Sequence, residues 1–162
     1  MDSIRSAIVL AAGKGTRMES DLPKALAPLV GKPMIVHLVE SLRAVSMEKP
    51  VVIIGHKGDL IRQELGDSAH YVLQNEPLGT GHALSQAQAA CGSAKNIVVL
   101  SSDQPLIKSN TILECITRHN ILNAKITFTT TEVNDFEDWR KYFLTYGRIL
   151  RQDNEVQGIR EY

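Results

Sequence analysis

A glycine-rich turn with three nearby cations is the segment of this sequence best suited to phosphate chemistry. Gly13 and Gly15 lie within residues 13–18 (GKGTRM), where two glycines let the backbone turn closely around a ligand and offer N–H groups to phosphate oxygens. Lys14, Arg17 and Lys24 add three positive charges over a short stretch of chain. This density of charge suits a triphosphate.

The turn differs from the two common glycine motifs for nucleotides. The dinucleotide motif G-x-G-x-x-G requires a third glycine where Met18 stands, and Pro23 interrupts the helix that should follow. The P-loop pattern GxxxxGK[ST] does not occur in the chain. Taken alone, the segment is therefore explained equally well by a phosphate-binding loop and by a glycine turn whose charged side chains are solvated.

Alternating strands and helices are expected to carry this turn. Apolar runs predict strands at 7–12, 51–54, 70–74, 97–100 and 126–131. Helical spacing and helix-start residues predict helices at 34–45, 59–65, 81–91 (capped by Thr80) and 109–121. Alternation of apolar and polar residues predicts a hairpin of 148–151 with 156–161. The pattern favours an α/β fold with an open, mainly parallel, Rossmann-like sheet, in which ligands bind beyond the carboxyl ends of the strands.

The composition argues against a nucleic-acid binder and against a membrane protein. The 162 residues contain 18 Lys+Arg and 18 Asp+Glu, so the chain lacks the basic surplus of a nucleic-acid binder. No apolar run reaches the roughly 20 residues that cross a bilayer, and no signal peptide is expected at the start of the sequence. Cys91 and Cys115 have no metal-site spacing and are expected to be reduced thiols. The expectation is a cytoplasmic protein that binds neither nucleic acid nor membrane; its oligomeric state is left open.

Four ordered segments resemble the sugar-1-phosphate nucleotidyltransferase (pyrophosphorylase) family, and within it the bacterial N-acetylglucosamine-1-phosphate uridylyltransferases. They are LAAGKGTRM at 10–18 with LPK at 22–24 and PLVGKPM at 28–34, LQNEPLGTGHA at 73–83, SDQPLI at 102–107, and YGRI at 146–149 with IRE at 159–161. The resemblance implies the nucleotide-diphospho-sugar transferase type of sheet. It also implies a nucleotide-binding part at 1–131 and the start of a sugar-binding part at 132–162.

The resemblance implies a role for each matching position. Arg17 would contact the leaving pyrophosphate, and Asp103 would bind Mg²⁺. Lys24 would neutralise the α-phosphate and the sugar phosphate as they approach each other. The nucleotide-binding positions would be Leu10, Ala11, Ala12, Gly13, Gly15, Thr16, Gln74, Gly79 and Thr80, of which the last three would recognise uracil. Gly147 and Glu161 would contact the amino sugar.

His82 is assigned no acid or base role. The attacking oxygen belongs to a sugar phosphate that is already largely ionised at neutral pH, since its second pKa lies near ~6. Catalysis then requires two anions to be brought into line and charge on the α-phosphate to be offset. His82 is expected to start a helix close to the base-recognition loop.

Two departures from the family pattern keep alternatives open. Ser101 and Ser102 stand where relatives usually carry an aromatic residue and a glycine. The resemblance also implies an incomplete C-terminal part, without a second metal ligand and a sugar-binding asparagine. The implied reaction converts UTP and N-acetylglucosamine 1-phosphate to UDP-N-acetylglucosamine and pyrophosphate. The alternatives are a transferase for another NTP or sugar phosphate, a nucleotide-binding module with little turnover and, last, a nicotinamide-dependent oxidoreductase.

Overall fold

The computed structural model describes residues 6–13, 15, 20–45, 49–153 and 155–161. Within the chain, two compact units are distinguished, Met1–Thr127 and Phe128–Tyr162, and each is described by itself.

The first unit is built on a four-stranded parallel sheet. In its described residues the unit contains six strands: β1 (Ser6–Ala11), β2 (Pro28–Leu29), β3 (Lys32–Pro33), β4 (Val51–Ile54), β5 (His70–Leu73) and β6 (Ile97–Ser101). The sheet has the order β5-β4-β1-β6, while β2 and β3 form a separate antiparallel pair. The predicted open, parallel α/β fold is confirmed.

The register of the sheet brings the strand ends to one edge. Leu10 of β1 is level with Ser101 of β6, and Ala11 is level with Ile54, the last residue of β4. Ile54 in turn is level with Leu73, which ends β5. The residues that follow these four strands are consequently neighbours.

Within the described residues, four α-helices accompany the sheet. They are α1 (Met34–Arg43), α2 (Gly58–Leu65), α3 (Thr80–Gln86) and α4 (Ser109–Ile121). α1 begins directly after Pro33, whose fixed φ suits a helix start, and buries the stripe Ile35, Leu38, Val39 and Leu42. In the part of the chain that the structure describes, no helix is both long and apolar enough to cross a membrane.

The core lies on both faces of the sheet. Side chains of alternate strand residues pack on opposite faces, so Val52 and Ile54 join one buried cluster while Val51 and Ile53 join the other. The α1 stripe belongs to the first cluster, and Ala83 and Ala87 belong to the second. All four residues of β4 are buried, as expected for a strand inside a parallel sheet.

Two predictions about local structure are wrong. Residues 126–131 form no strand: both Ile126 and Phe128 are exposed, and strand propensity is not realised without a neighbouring strand to pack against. Thr80 is not a cap but the first residue of α3, and Gly79 at φ 100° precedes it. The helix ends at Gln86, and a 3₁₀ turn at Ala89–Cys91 follows.

The second unit contains the predicted hairpin. β7 (Arg148–Gln152) pairs antiparallel with β8 (Glu155–Arg160), with a bulge at Leu150/Arg151. A 3₁₀ helix at Asp138–Thr145 precedes the hairpin. Its Phe143 ring meets the Tyr146 ring edge-on at 5.2 Å, and the backbone carbonyl of Phe143 accepts a 2.8 Å hydrogen bond from Arg148.

Candidate functional site

The edge of the sheet where the strands end borders an open cleft of about 400 Å³ in the first unit. The lining residues are Leu10, Ala12, Gly13, Gly15, Lys24, Gln74, Pro77, Gly79, Thr80, Ala83, Ser101, Ser102 and Asp103. This is the position at which open parallel sheets bind ligands. Nine of the sequence-predicted site residues line this one cleft.

The glycine turn after β1 forms one wall. Gly15 has φ +61°, a left-handed conformation that glycine adopts readily and a side chain disfavours. A Cβ atom built on Gly15 would lie 2.9 Å from the Cβ of Lys24, so the turn approaches the lysine closely. Thr16 and Arg17, to which sequence analysis gave phosphate contacts, lie outside the described residues, as does Lys14.

Lys24 is held by a short anchored segment. It begins a 3₁₀ turn, Lys24–Leu26, in which the Leu26 N–H donates to the Pro23 carbonyl at 2.8 Å. Ala25 and Leu26 are buried in the core. Because its two successors are fixed in the interior, the backbone of Lys24 is fixed at the rim of the cleft.

Lys24 and Asp103 form an ion pair across the cleft, although 79 positions separate them in sequence. Nζ of Lys24 donates to Oδ2 of Asp103 at 2.9 Å. Both side chains are partly solvated, with 39% and 45% of their surface exposed. An exposed pair of this kind contributes at most about 1 kcal/mol to stability. Its significance is therefore positional: a cation and a carboxylate converge on one point.

The loop after β6 fixes Asp103. The Ser102 N–H donates to the Leu10 carbonyl at 3.0 Å, extending the ladder between β6 and β1, and Ser102 is buried. Partial burial acts to raise the pKa of Asp103, but hydrogen bonds from Ser101 and Lys24 and the charge of Lys24 outweigh it, so this pKa lies below its usual value. Asp103 is therefore ionised at neutral pH. Ser101, a departure from the family pattern, supports the carboxylate directly.

A second loop brings an amide to the cleft. The Gln74 N–H donates to the Ile54 carbonyl at 2.8 Å, which extends the sheet by one residue, and Gln74 is only 7% exposed. The Gln74 amide nitrogen lies 3.3 Å from the Gly79 carbonyl and 3.0 Å from Nδ1 of His82. Gln74, Gly79 and Thr80 thus share the cleft.

Comparison with known families agrees with this architecture. Residues 7–149 match the MobA-like NTP transferase domain. The chain belongs to this family. It is accordingly a nucleotidyltransferase domain, and the resemblance drawn from its sequence motifs is confirmed.

Curated relatives match most of this chain but are much longer than it. The bifunctional protein GlmU of Bacillus licheniformis is 42% identical over 151 residues, which make up 93% of this chain and 32% of that protein. The chain thus spans about a third of the length of the curated relatives it matches.

Solved structures share the fold. A nucleotidyl transferase from Methanothermobacter thermautotroptrophicus (Mth528) superposes with a TM-score of 0.59 at 25% identity, covering 70% of this chain and 57% of that one. Rv0371C of Mycobacterium tuberculosis H37Rv, solved in complex with manganese, gives a TM-score of 0.56 at 21% identity, over 71% and 59% of the two chains.

In the described part of the chain, the donor set for a metal in the cleft consists of one carboxylate and not of several protein ligands. Among the residues described, no group of three or more His, Cys, Asp or Glu side chains is arranged to hold a metal ion. Of the described residues that line the cleft, Asp103 is the one with a carboxylate. Mg²⁺ is commonly bound through one or two carboxylates together with substrate phosphates and water, so this donor set fits an ion that arrives with a nucleotide.

Some predicted site residues lie elsewhere, and some cleft residues were missed. The Ala11 side chain belongs to the buried core of the MobA-like domain. Pro77 and Ala83 line the cleft without having been predicted. Ala83 could have been found from helical spacing, since its N–H donates at 3.0 Å to the carbonyl of Gly79, four residues earlier.

Gly147 and Glu161, the predicted sugar contacts, lie in the second unit. They are next to each other: a Cβ atom built on Gly147 would lie 3.6 Å from Oε1 of Glu161 and 3.2 Å from Cγ2 of Ile159. A side chain at position 147 would therefore press on the residues around the carboxylate.

Proposed function

We propose that this chain transfers a uridylyl group from UTP to N-acetyl-α-D-glucosamine 1-phosphate, giving UDP-N-acetylglucosamine and pyrophosphate. The observation that carries the proposal is the 2.9 Å contact of Lys24 and Asp103 in a cleft that the glycine turn also lines. The family supports nucleotidyl transfer, and the motifs at 73–83 and 146–161 support uracil and the amino sugar.

The reaction requires no general base. An ionised oxygen of the sugar phosphate attacks the α-phosphorus, and the bond from that phosphorus to the bridging oxygen breaks. The electron pair of this bond leaves with pyrophosphate. Since the sugar phosphate has a second pKa near ~6, its attacking oxygen carries no proton at neutral pH. Alignment and charge neutralisation remain as the tasks of the protein.

Lys24 meets the requirement for charge neutralisation. Its ammonium group lies at the rim of the cleft, where it offsets the negative charge of the α-phosphate and of the incoming sugar phosphate. A cation placed before the reaction costs no reorganisation as charge develops. Arg17, in our proposal, stabilises the pyrophosphate that leaves.

Asp103 is the residue that would hold Mg²⁺. The bound ion would neutralise phosphate charge and polarise phosphoryl oxygens. The manganese complex of the structural neighbour Rv0371C supports a divalent cation in this fold. Asp103 is ionised and partly exposed, as a ligand to an entering cation must be.

Base and sugar recognition are assigned to separate groups. Gln74, Gly79 and Thr80 recognise uracil, because an amide side chain and backbone groups complement its polar edge. Gly147 and Glu161 contact the amino sugar through a backbone position without a side chain and a neighbouring carboxylate. Both cysteines are free thiols, which favours a reducing, cytoplasmic compartment.

The test is pyrophosphate release by the purified chain, followed together with ³¹P NMR of the products. With Mg²⁺, UTP and N-acetylglucosamine 1-phosphate, we expect equal amounts of UDP-N-acetylglucosamine and pyrophosphate. CTP, GTP, ATP, dTTP and other sugar 1-phosphates serve as competing substrates. Faster turnover with another pair would replace the proposed substrates, and UTP binding without pyrophosphate release would identify a nucleotide-binding module.

A further inference from the structure

His82 and Gln74 form a hydrogen-bond network beside the cleft. The Gln74 amide nitrogen contacts two atoms, the Gly79 carbonyl oxygen at 3.3 Å and His82 Nδ1 at 3.0 Å. The other ring nitrogen, Nε2, lies 3.3 Å from the amide nitrogen of Gln86. Gln74 lines the cleft, and because it is buried few other hydrogen-bond partners are within its reach. His82 does not line the cleft.

The Gly79 carbonyl and His82 together orient the Gln74 amide. A carbonyl oxygen can only accept a hydrogen bond, so the amide atom that faces it is the nitrogen. The same nitrogen faces His82 Nδ1, which must accept as well. Both amide hydrogens are then engaged with protein groups, and Oε1 is the polar atom of the side chain left for a ligand.

This orientation also fixes the tautomer of His82. If Nδ1 accepts, the proton of the neutral ring is on Nε2, which becomes a donor. A half-turn of the exposed Gln86 amide exchanges its nitrogen and oxygen, so its oxygen can accept from Nε2. With this tautomer the Gln74 amide nitrogen donates to His82 Nδ1, and His82 Nε2 donates to the Gln86 amide oxygen.

We propose that His82 is a positioning residue that presents Gln74 to the base as a hydrogen-bond acceptor and so selects a pyrimidine carrying an N3–H group. The proposal rests on the proposed function, in which Gln74 recognises the base. Uracil has N3–H as a donor between its two carbonyls, which complements Oε1. Cytosine has an unprotonated N3, so that two acceptors would face each other.

The size of this discrimination follows from the cost of a mismatched polar pair. A buried group left without a partner loses binding free energy, and a site built around one hydrogen bond rejects a ligand that cannot form it. In wild type, UTP should bind at least about tenfold more tightly than CTP. Without His82 only the longer 3.3 Å contact with the Gly79 carbonyl orients the Gln74 amide, so the amide can turn and present its nitrogen, and most of that preference should be lost.

The first measurement needs no nucleotide. ¹⁵N-resolved NMR of the imidazole groups in the wild-type chain at neutral pH identifies the tautomer of His82. We expect Nε2 to carry the proton and Nδ1 to be the acceptor. A ring protonated at Nδ1 would overturn the inference, and it would do so whatever the chain binds.

The second measurement compares Mg²⁺-UTP and Mg²⁺-CTP binding by calorimetry in three variants. His82→Leu removes the acceptor, and its UTP preference should fall about tenfold. His82→Asn places an amide oxygen where Nδ1 stood and should restore the preference. Gln88→Leu, an exposed glutamine just beyond α3, is the matched control and should leave the preference unchanged. Thermal unfolding verifies that each variant is folded.

The outcomes separate the inference from the proposed function. If wild type prefers UTP and His82→Leu keeps the full preference, the inference is wrong and the proposed function stands. The inference is also wrong if His82→Asn loses the preference as His82→Leu does, because rescue by an acceptor is what distinguishes positioning from packing. If wild type binds no UTP, the proposed function fails and the selection we assign to His82 fails with it.

Discussion

Gly15 and Lys24 are in such close proximity that a methyl group on the glycine would lie 2.9 Å from Cβ of the lysine. The turn after the first strand and the candidate catalytic lysine therefore determine each other's position. Gly15 also has a positive φ of 61°, so both its backbone and its surroundings require the smallest residue.

Gly15→Ala should impair the site more than the fold. The added methyl group must displace Lys24 or the turn, and the left-handed conformation costs an alanine roughly 1–2 kcal/mol. We expect pyrophosphate release to fall at least about tenfold. Gly158→Ala is the matched control, since nothing lies within 4 Å of its added methyl group and its φ is not in the left-handed region. Equal activity of the two variants would contradict the role of this close approach.

Lys24→Ala should lower the rate of pyrophosphate release by roughly 10²–10³, about 3–4 kcal/mol for one lost transition-state contact. Stability should hardly change, because the ion pair with Asp103 is exposed. Lys32→Ala is the control: it breaks the comparable 2.8 Å pair with Glu40 in the same unit. Full activity of Lys24→Ala would exclude the lysine from the mechanism.

Asp103→Asn should act on the dependence on Mg²⁺. The amide keeps one oxygen but loses the charge that attracts the cation and Lys24, so half-maximal activity should need about tenfold more Mg²⁺. The measurement is the rate of pyrophosphate release over a Mg²⁺ titration at fixed UTP. An unchanged titration curve would remove Asp103 from the metal site.

Asp135 should make the stability of the second unit depend on pH. Its hydrogen bond from Arg140, and a second from the backbone of Glu137, hold the pKa of this carboxyl below its usual value. Because the pKa is lower in the folded state, ionised Asp135 stabilises the fold at pH values above its unfolded-state pKa of about 3.9. This stabilisation is lost as the pH falls through the folded-state pKa.

Asp135→Asn should therefore unfold at lower urea than wild type at pH 7, and the difference should vanish in acid. Trp139, the single tryptophan of the chain, stands next to Arg140, so its fluorescence follows the second unit. Glu155→Gln, an exposed change in the same unit, controls for loss of a negative charge. A difference that persists below the folded pKa would show that the aspartate acts by packing and not by charge.

Sequence patterns predicted the strands of the sheet and the positions that follow them. Apolar runs such as Val51–Ile54 identify buried strands because both faces of a parallel sheet are covered. Residues just after such strands, including Gln74 and Asp103, could then be assigned to one edge of the sheet.

What the sequence did not predict depends on contacts between distant segments. The pairing of Lys24 with Asp103 follows from β1 and β6 being neighbours, which no local pattern encodes. The same applies to His82, assigned to a helix start, whose contact with Gln74 emerges only when β5 and α3 are in place. The strand predicted at 126–131 failed for the complementary reason, because its residues gained no neighbouring strand.

The most direct test of the cleft as the nucleotide and metal site is paramagnetic broadening by Mn²⁺ in ¹⁵N–¹H NMR spectra of the labelled chain with UTP. We predict the strongest broadening at the amides of Gly13, Gly15, Ser102 and Asp103, and much weaker broadening in Asp103→Asn. Broadening centred away from the cleft, or equal in the two proteins, would contradict the account.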